Sequence, residues 1–210
     1  MEYKPRVLSA RYLVDSAGDC TRETDPTCDK EYKVMIIPER VDTVELADRK
    51  RLPYTVLEYH DAYAAVALTD DSKIAMVRVP RYPIGEYLWE LPGGRHDPGE
   101  TPEECVRREL EEETGFRAGH IESLLPVYNP EPSHSTEKLG LFFATRLART
   151  GRVLAERDGL PVLGLFRIEE ALEMIGNGEI RSSWSIIGLL AFFVRLRFPE
   201  GEYKLINPKA

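Results

Sequence analysis

Long apolar runs are missing from this 210-residue chain. The stretch Ile186 to Val194 ends at Arg195 after nine residues. A membrane helix needs about 20, so the stretch is expected to be a buried helix of a soluble protein or part of a subunit contact. Cysteine is scarce: Cys20, Cys28 and Cys105 form no CxxC pair, and their odd number does not make a fully paired disulfide framework. A basic excess is also missing, with 28 Lys and Arg against 36 Asp and Glu and a formal charge of -8. That balance argues against a broad nucleic-acid or anionic-membrane surface and favours small-molecule chemistry in a local pocket. The 15 Gly and 15 Pro are dispersed without a period, which excludes collagen-like and low-complexity architectures. Met1-Glu2-Tyr3-Lys4-Pro5 shows no secretory apolar segment, so a reducing cytoplasm is the expected setting.

What is present, 42% hydrophobic and 30% charged residues, describes one mixed layered domain with a small accessory layer. Residues 1–60 are expected to form an N-terminal accessory sheet and loop, and residues 61–210 the catalytic domain. Val7 to Val14 reads as a strand and Asp15 to Lys30 as a polar loop. Lys33 to Ile37, Val41 to Leu46 and Tyr54 to Glu58 read as extended segments of a small antiparallel sheet. Ala62 to Leu68 and Ile74 to Val79 resemble a hairpin, Arg81 to Tyr87 a loop, and Leu88 to Leu91 a strand. Ile121 to Tyr128 and Leu139 to Leu147 read as strands flanking a Pro- and Ser-rich loop over Asn129 to Lys138. Leu163 to Phe166 adds a short strand, and Ile168 to Ile175 and Ser183 to Leu196 read as helices.

The chemistry concentrates around one helix, expected over Pro102 to Thr114. Thr101 suits the N-cap, Glu104 lies three residues on, Pro102 occupies the first helical position and Gly115 provides the stop. On that helix Glu109 and Glu113 are four positions apart, with Glu112 adjacent on the same side. Like charges on one face oppose folding, and a hard, oxygen-binding cation offsets that cost. Gly93 and Gly94, just before the helix, let the backbone approach a ligand closely. The alternative reading is a solvated Glu-rich helix with Arg107 and Arg108 in surface ion pairs.

The run from Gly94 to Phe116 resembles the Nudix hydrolase box: Gly94, five residues, Glu100, seven residues, then Arg108-Glu109-Leu110-Glu111-Glu112-Glu113-Thr114-Gly115-Phe116. The wider pattern, Ile74 to Pro83, Trp89-Glu90-Leu91-Pro92-Gly93-Gly94 and the late segment Ile168 to Ile180, is similar to the ADP-ribose or ADP-sugar pyrophosphatase branch. The resemblance implies an α/β fold, a Nudix-like α/β/α sandwich with a mixed sheet. It implies Glu109, Glu113 and Glu112 as metal ligands, with a backbone oxygen from Gly93, for Mg2+ or Mn2+. It further implies Arg108 as the residue orienting these carboxylates, and a homodimer.

By the same resemblance the loop Asn129 to Lys138 supplies a second catalytic segment. Glu137 is preferred to Glu131 as its acid, serving as base or water-positioning group, because it adjoins the strand at Leu139. His134 and His96 are secondary candidates. Arg81 and Arg78 are candidate phosphate contacts, although Pro80 stands where the branch commonly carries glutamine. Tyr82, Tyr32 and Tyr54 are candidates for base stacking, and Trp89 for packing at the entrance. The implied reaction is hydrolysis of the diphosphate bridge of ADP-ribose, giving AMP and ribose 5-phosphate. Other NDP-sugars, NAD(H), CoA or dinucleoside polyphosphates are alternative substrates, and a nucleotide-binding sensor with little catalysis is the alternative class. No nucleic-acid or membrane partner is expected.

Overall fold

The computed structural model describes residues 39–150 and 162–198. The segments expected over 7–14, 15–30 and 33–37, together with Tyr32, lie outside the described residues. The described chain opens with an antiparallel hairpin, Glu39–Glu45 (β1) and Arg51–Leu57 (β2), paired from Glu39↔Leu57 to Glu45↔Arg51. Its turn holds Arg49 at φ 65. The hairpin forms a separate two-stranded sheet and leaves Val41, Leu46 and Tyr54 exposed.

The main sheet comprises Ala62–Leu68 (β3), Ile74–Arg81 (β4), Glu86–Glu90 (β5), Gly93–Arg95 (β6), Phe116–Tyr128 (β7), Leu139–Arg149 (β8) and Val162–Phe166 (β9). Its path runs β5-β4-β3-β8-β7, with β6 added to β3 and β9 to β4. The β3–β8 pair is parallel and the other pairs are antiparallel. A single 3-10 turn, Tyr82–Ile84, joins β4 to β5. Among the described residues three helices accompany the sheet: Pro102–Thr114 (α1), Ile168–Gly176 (α2) and Ser183–Arg197 (α3).

Alternation along β3 explains the layering. Every residue from Ala62 to Ala67 is buried, as expected of a strand covered on both faces. Ala62, Ala64 and Val66 face one core with Met174 of α2 and Leu189 and Phe192 of α3. Tyr63, Ala65 and Ala67 face the other with Cys105, Val106 and Leu110 of α1. On β8, Leu141 and Phe142 divide between the same two cores. A period of two on central strands thus fixes an α/β/α sandwich. No helix among the described residues is long and apolar enough to cross a membrane.

Several elements differ from the sequence reading at their limits. β7 starts at Phe116, five residues before the expected Ile121, because Phe116 and Ala118 pack into the core under α1 while pairing with β8 extends to Phe116↔Arg149 and Arg117↔Ala148. β6 appears where only a glycine entrance was read, recruited by the free edge of β3 through Ala64↔Gly93 and Ala62↔Arg95.

Candidate active site

The acidic helix is held from both ends and from below. Glu104 N–H donates to Thr101 Oγ1 at 3.3 Å and Thr101 N–H donates back to Glu104 Oε2 at 2.8 Å, closing a capping box. Gly115 ends the helix at φ 69, a left-handed conformation that favours glycine. Cys105, Val106 and Leu110 root the helix in the core, leaving Arg108, Glu109, Glu112 and Glu113 along the other side.

Arg108 ties these acids together. Its guanidinium donates to both oxygens of Glu100 at 2.9 and 3.0 Å, to Glu109 at 2.7 Å, to Glu112 at 3.5 Å and to the Arg95 carbonyl at 3.1 Å. The bonds from Arg108 hold the Glu100 carboxyl below its ordinary range. Burial moves Glu109 the opposite way, upward, against the pull of Arg108. Glu113 is pushed up to about 8 by burial, although the Gly93 N–H donates to its Oε2 at 2.9 Å.

The two entrance glycines do different work. A Cβ on Gly93 would overlap the Tyr63 carbonyl and lie 2.6 Å from the Ala64 Cα, so its bare Cα permits the β3–β6 pairing. A Cβ on Gly94 would overlap Glu109 Oε1 and lie 2.6 Å from Glu109 Cδ. Gly94 therefore leaves space that the Glu109 carboxylate occupies.

A cavity of about 540 Å³ opens beside this entrance, and Arg81, Gly93, Gly94, Arg95, Glu113 and Glu137 contribute to its wall. Glu137 arrives from the loop between β7 and β8 and accepts a bond from Arg95 Nη2 at 3.2 Å. The Arg95 guanidinium also lies 4.8 Å from the centre of the Tyr59 ring. That loop is stitched to the end of β2: Leu57 N–H donates to the His134 carbonyl at 2.7 Å and Thr136 N–H donates to the Leu57 carbonyl at 3.0 Å. Asn129 Nδ2 donates to the Glu137 carbonyl at 3.1 Å.

Of the residues expected in the site, Arg81, Gly93, Glu113 and Glu137 line the cavity, and Glu109 backs onto Gly94. Glu112 is not among the lining residues; it accepts from the same Arg108 Nη1 as Glu109, with its side chain 40% exposed. Arg78 and Tyr82 are not among the lining residues: the Arg78 guanidinium lies over the Tyr87 ring at 5.2 Å, and Tyr82 is exposed on the 3-10 turn. Tyr54 donates its hydroxyl to the Ser133 carbonyl. Glu131 and His134 are exposed and both bond to Ser133. His96 packs edge-on to Tyr63 and His60, and Trp89 packs edge-on to Phe166 at 4.9 Å. Arg95 and Trp184, which no sequence pattern marks, and Glu90, which figures in the sequence only within the family pattern, also line the cavity.

The donor chemistry at this entrance fits a hard divalent cation. Glu109 and Glu113 are carboxylates whose charged forms burial disfavours, and a nearby cation relieves that cost. Glu109 already lies against the Gly94 backbone. Among the described residues no three acidic, His or Cys side chains stand gathered as a ready cage. The acids instead form an edge, with Arg108 occupying one Glu109 oxygen.

Comparison with known proteins adds a second line of support. The NUDIX domain family matches residues 58–181. The chain is similar to the ADP-ribose pyrophosphatase of Mycobacterium tuberculosis, 35% identical over 72% of this chain and 74% of that protein. It is likewise similar to the ADP-ribose pyrophosphatase of Bacillus subtilis, 32% identical over 71% of this chain and 80% of that one. Its fold matches a crystal structure described as an ADP compounds hydrolase with a TM-score of 0.70 at 18% identity, covering 79% of this chain and 89% of the other.

Proposed function

The chain belongs to the Nudix hydrolase family, and on that premise we propose that it hydrolyses the diphosphate bridge of ADP-ribose or a related nucleoside diphosphate sugar. From ADP-ribose the products are AMP and ribose 5-phosphate. The reading is supported by one observation above all: a single cavity collects Glu113, the glycine entrance, Arg81 and Glu137. An acid for a cation, a guanidinium for phosphate and a second acid for a proton thus share one volume.

A bound Mg2+ or Mn2+ would supply phosphate charge neutralisation and acidified water, held by Glu109 and Glu113 with Glu112 alongside and the Gly93 backbone close by. Arg108 holds Glu109 and Glu112 in register, so the carboxylates need little reorganisation. Arg81 supplies directed N–H donors to the diphosphate. Glu137 accepts the proton of the attacking water; Arg95 engages its Oε1 and leaves Oε2 for that task. Pro130, which also lines the cavity, and the Leu57 stitch keep the loop from drifting away from its partner acids.

Assembly as a homodimer belongs to the same reading. A two-stranded ribbon is marginal alone, and β1–β2 exposes Val41, Leu46 and Tyr54. Sedimentation of the purified chain as a monomer at micromolar concentration would remove this part.

The deciding experiment incubates the protein with a panel of diphosphate-linked nucleotides and Mg2+ or Mn2+ in H2(18)O, with products identified by mass spectrometry. AMP and ribose 5-phosphate are expected from ADP-ribose, with one of them carrying the label. Tight binding of ADP-ribose with no product under either metal would leave a sensor and end the hydrolase reading for this substrate.

A further inference from the structure

Glu90 is a carboxylate buried at the end of β5, with its side chain 3% exposed, whereas that of its partner Arg81 is 45% exposed. Arg81 donates from Nε to Glu90 Oε1 at 2.7 Å and from Nη2 to Glu90 Oε2 at 2.5 Å. From the first turn of α3, the Trp184 indole N–H donates to the same Oε2 at 3.0 Å. Both Glu90 oxygens are therefore engaged, Oε1 by Arg81 and Oε2 by Arg81 and Trp184 together. The neighbouring Ser185 hydroxyl accepts the Leu91 N–H at 2.9 Å, which fixes the start of α3 against the backbone next to Glu90.

This pair is not explained as a stabilising device. Burying an ion pair yields little net stability compared with apolar residues of similar shape. A pair kept for packing has no need of a guanidinium left nearly half open. A guanidinium carries five N–H donors, and the side-on fork to Glu90 consumes two. The remaining three belong to a residue on the cavity wall, where Glu90 and Trp184 stand as well. A long, rotamer-rich side chain loses entropy when a ligand immobilises it; one already clamped has met that cost before the ligand arrives.

Building on the function proposed above, we propose that Glu90 and Trp184 are positioning residues that lock Arg81 in one orientation and present its unused N–H fork to the diphosphate. Trp184 acts through Glu90 and Glu90 through Arg81, so helix α3 enters substrate binding without touching the phosphates. Glu90 also cancels the net charge of Arg81, so the group discriminates by direction more than by bulk attraction.

The test is a double-mutant cycle between Trp184→Phe, which keeps an aromatic ring and deletes the donor, and Arg81→Ala. Two readouts are taken: kcat and KM for ADP-ribose with Mg2+, and the Kd for ADP-ribose in EDTA, where no turnover competes. Trp184→Phe alone is expected to raise KM and Kd about 5-fold, with kcat within about twofold. Arg81→Ala is expected to raise them about 30-fold, as for loss of a charge-assisted contact. The double variant should match Arg81→Ala within about twofold, because the indole has nothing left to orient. Multiplying effects in the double variant, or unchanged KM and Kd in Trp184→Phe, would overturn the proposal. Should Trp184→Phe melt at a much lower temperature than the parent, Glu90→Gln takes its place in the same cycle with the same expectation. If the parent neither binds nor cleaves ADP-ribose, that substrate reading fails by itself; inorganic pyrophosphate then replaces it in the binding cycle, and additive effects there would sink the clamp too.

Discussion

Two acids that both line the cavity have different surroundings and should fail differently when neutralised. Glu113 combines a raised affinity for its proton with a bond from the Gly93 N–H. In Glu113→Gln the side-chain amide oxygen still accepts that N–H, and the side chain is neutral at every pH, as the protonated Glu113 already is below about 8. Melting temperature should hold or rise, while metal-dependent kcat/KM falls at least about 100-fold. Turnover unchanged in saturating Mg2+ would contradict its proposed role as a ligand. Glu137→Gln keeps an acceptor for Arg95 but cannot take a proton. Its kcat should fall by about 10² to 10⁴, with KM for ADP-ribose within about threefold. A normal steady-state rate would remove Glu137 from the mechanism.

At the scale of elements, β6 makes adjacent glycines separable. Gly93→Ala pushes a methyl into the backbone of β3, so it should lower the melting temperature markedly and activity with it. Gly94→Ala displaces a side chain instead, the Glu109 carboxylate, and should leave the melting temperature within a few degrees of the parent. Its activity should drop at least about tenfold, with a higher Mg2+ concentration needed for half-maximal rate. Thermal melts and Mg2+ titrations of the two variants check the contrast; equal destabilisation by both would refute it.

The same elements show what sequence carried and what it did not. Helix α1 was legible to the residue because its stops are chemical: Thr101 and Glu104 at one end, Gly115 at the other. The division of β3 between two cores was less visible, since Ala62 to Leu68 reads as a uniform apolar run. β6 has three residues and no pattern of its own, and its strand character comes from the edge it meets. In the site, acids spaced along one helix could be read from spacing. The contact of Glu90 with Trp184 spans 94 positions and that of Arg95 with Glu137 spans 42. No local signal links such residues, and only the packed sheet and α3 bring them together. Arg78 and Arg81 were equivalent as sequence, but Arg81 lines the cavity while Arg78 packs over Tyr87.

For the whole molecule, the raised proton affinity of Glu113 couples the site to stability. Its folded value lies at about 8, above the ordinary 4.5 that serves for the unfolded chain. The folded state therefore holds a proton that the unfolded state has released. The associated stability is complete below pH 4.5 and is lost as the pH rises through 8. Lowered carboxyls such as Glu100 act oppositely, contributing stability above their unfolded range that is lost on acidification. In EDTA the melting temperature should consequently fall between pH 5 and pH 8. On the proposed ion site, Mg2+ should raise it more at pH 8 than at pH 5, since carboxylates bind the ion in their deprotonated form. A Mg2+-induced rise that is the same at both pH values, measured by differential scanning calorimetry, would break this linkage.

Leu57 contributes no acid to the reaction, yet its amide and carbonyl are two of the anchor points of the segment bearing Glu137. The reach of that acid is thus inherited from a surface ribbon whose own sheet, among the described residues, has two strands. Damage to the ribbon should register as slower chemistry in an enzyme that still captures its ions normally, a lesion displaced from its symptom.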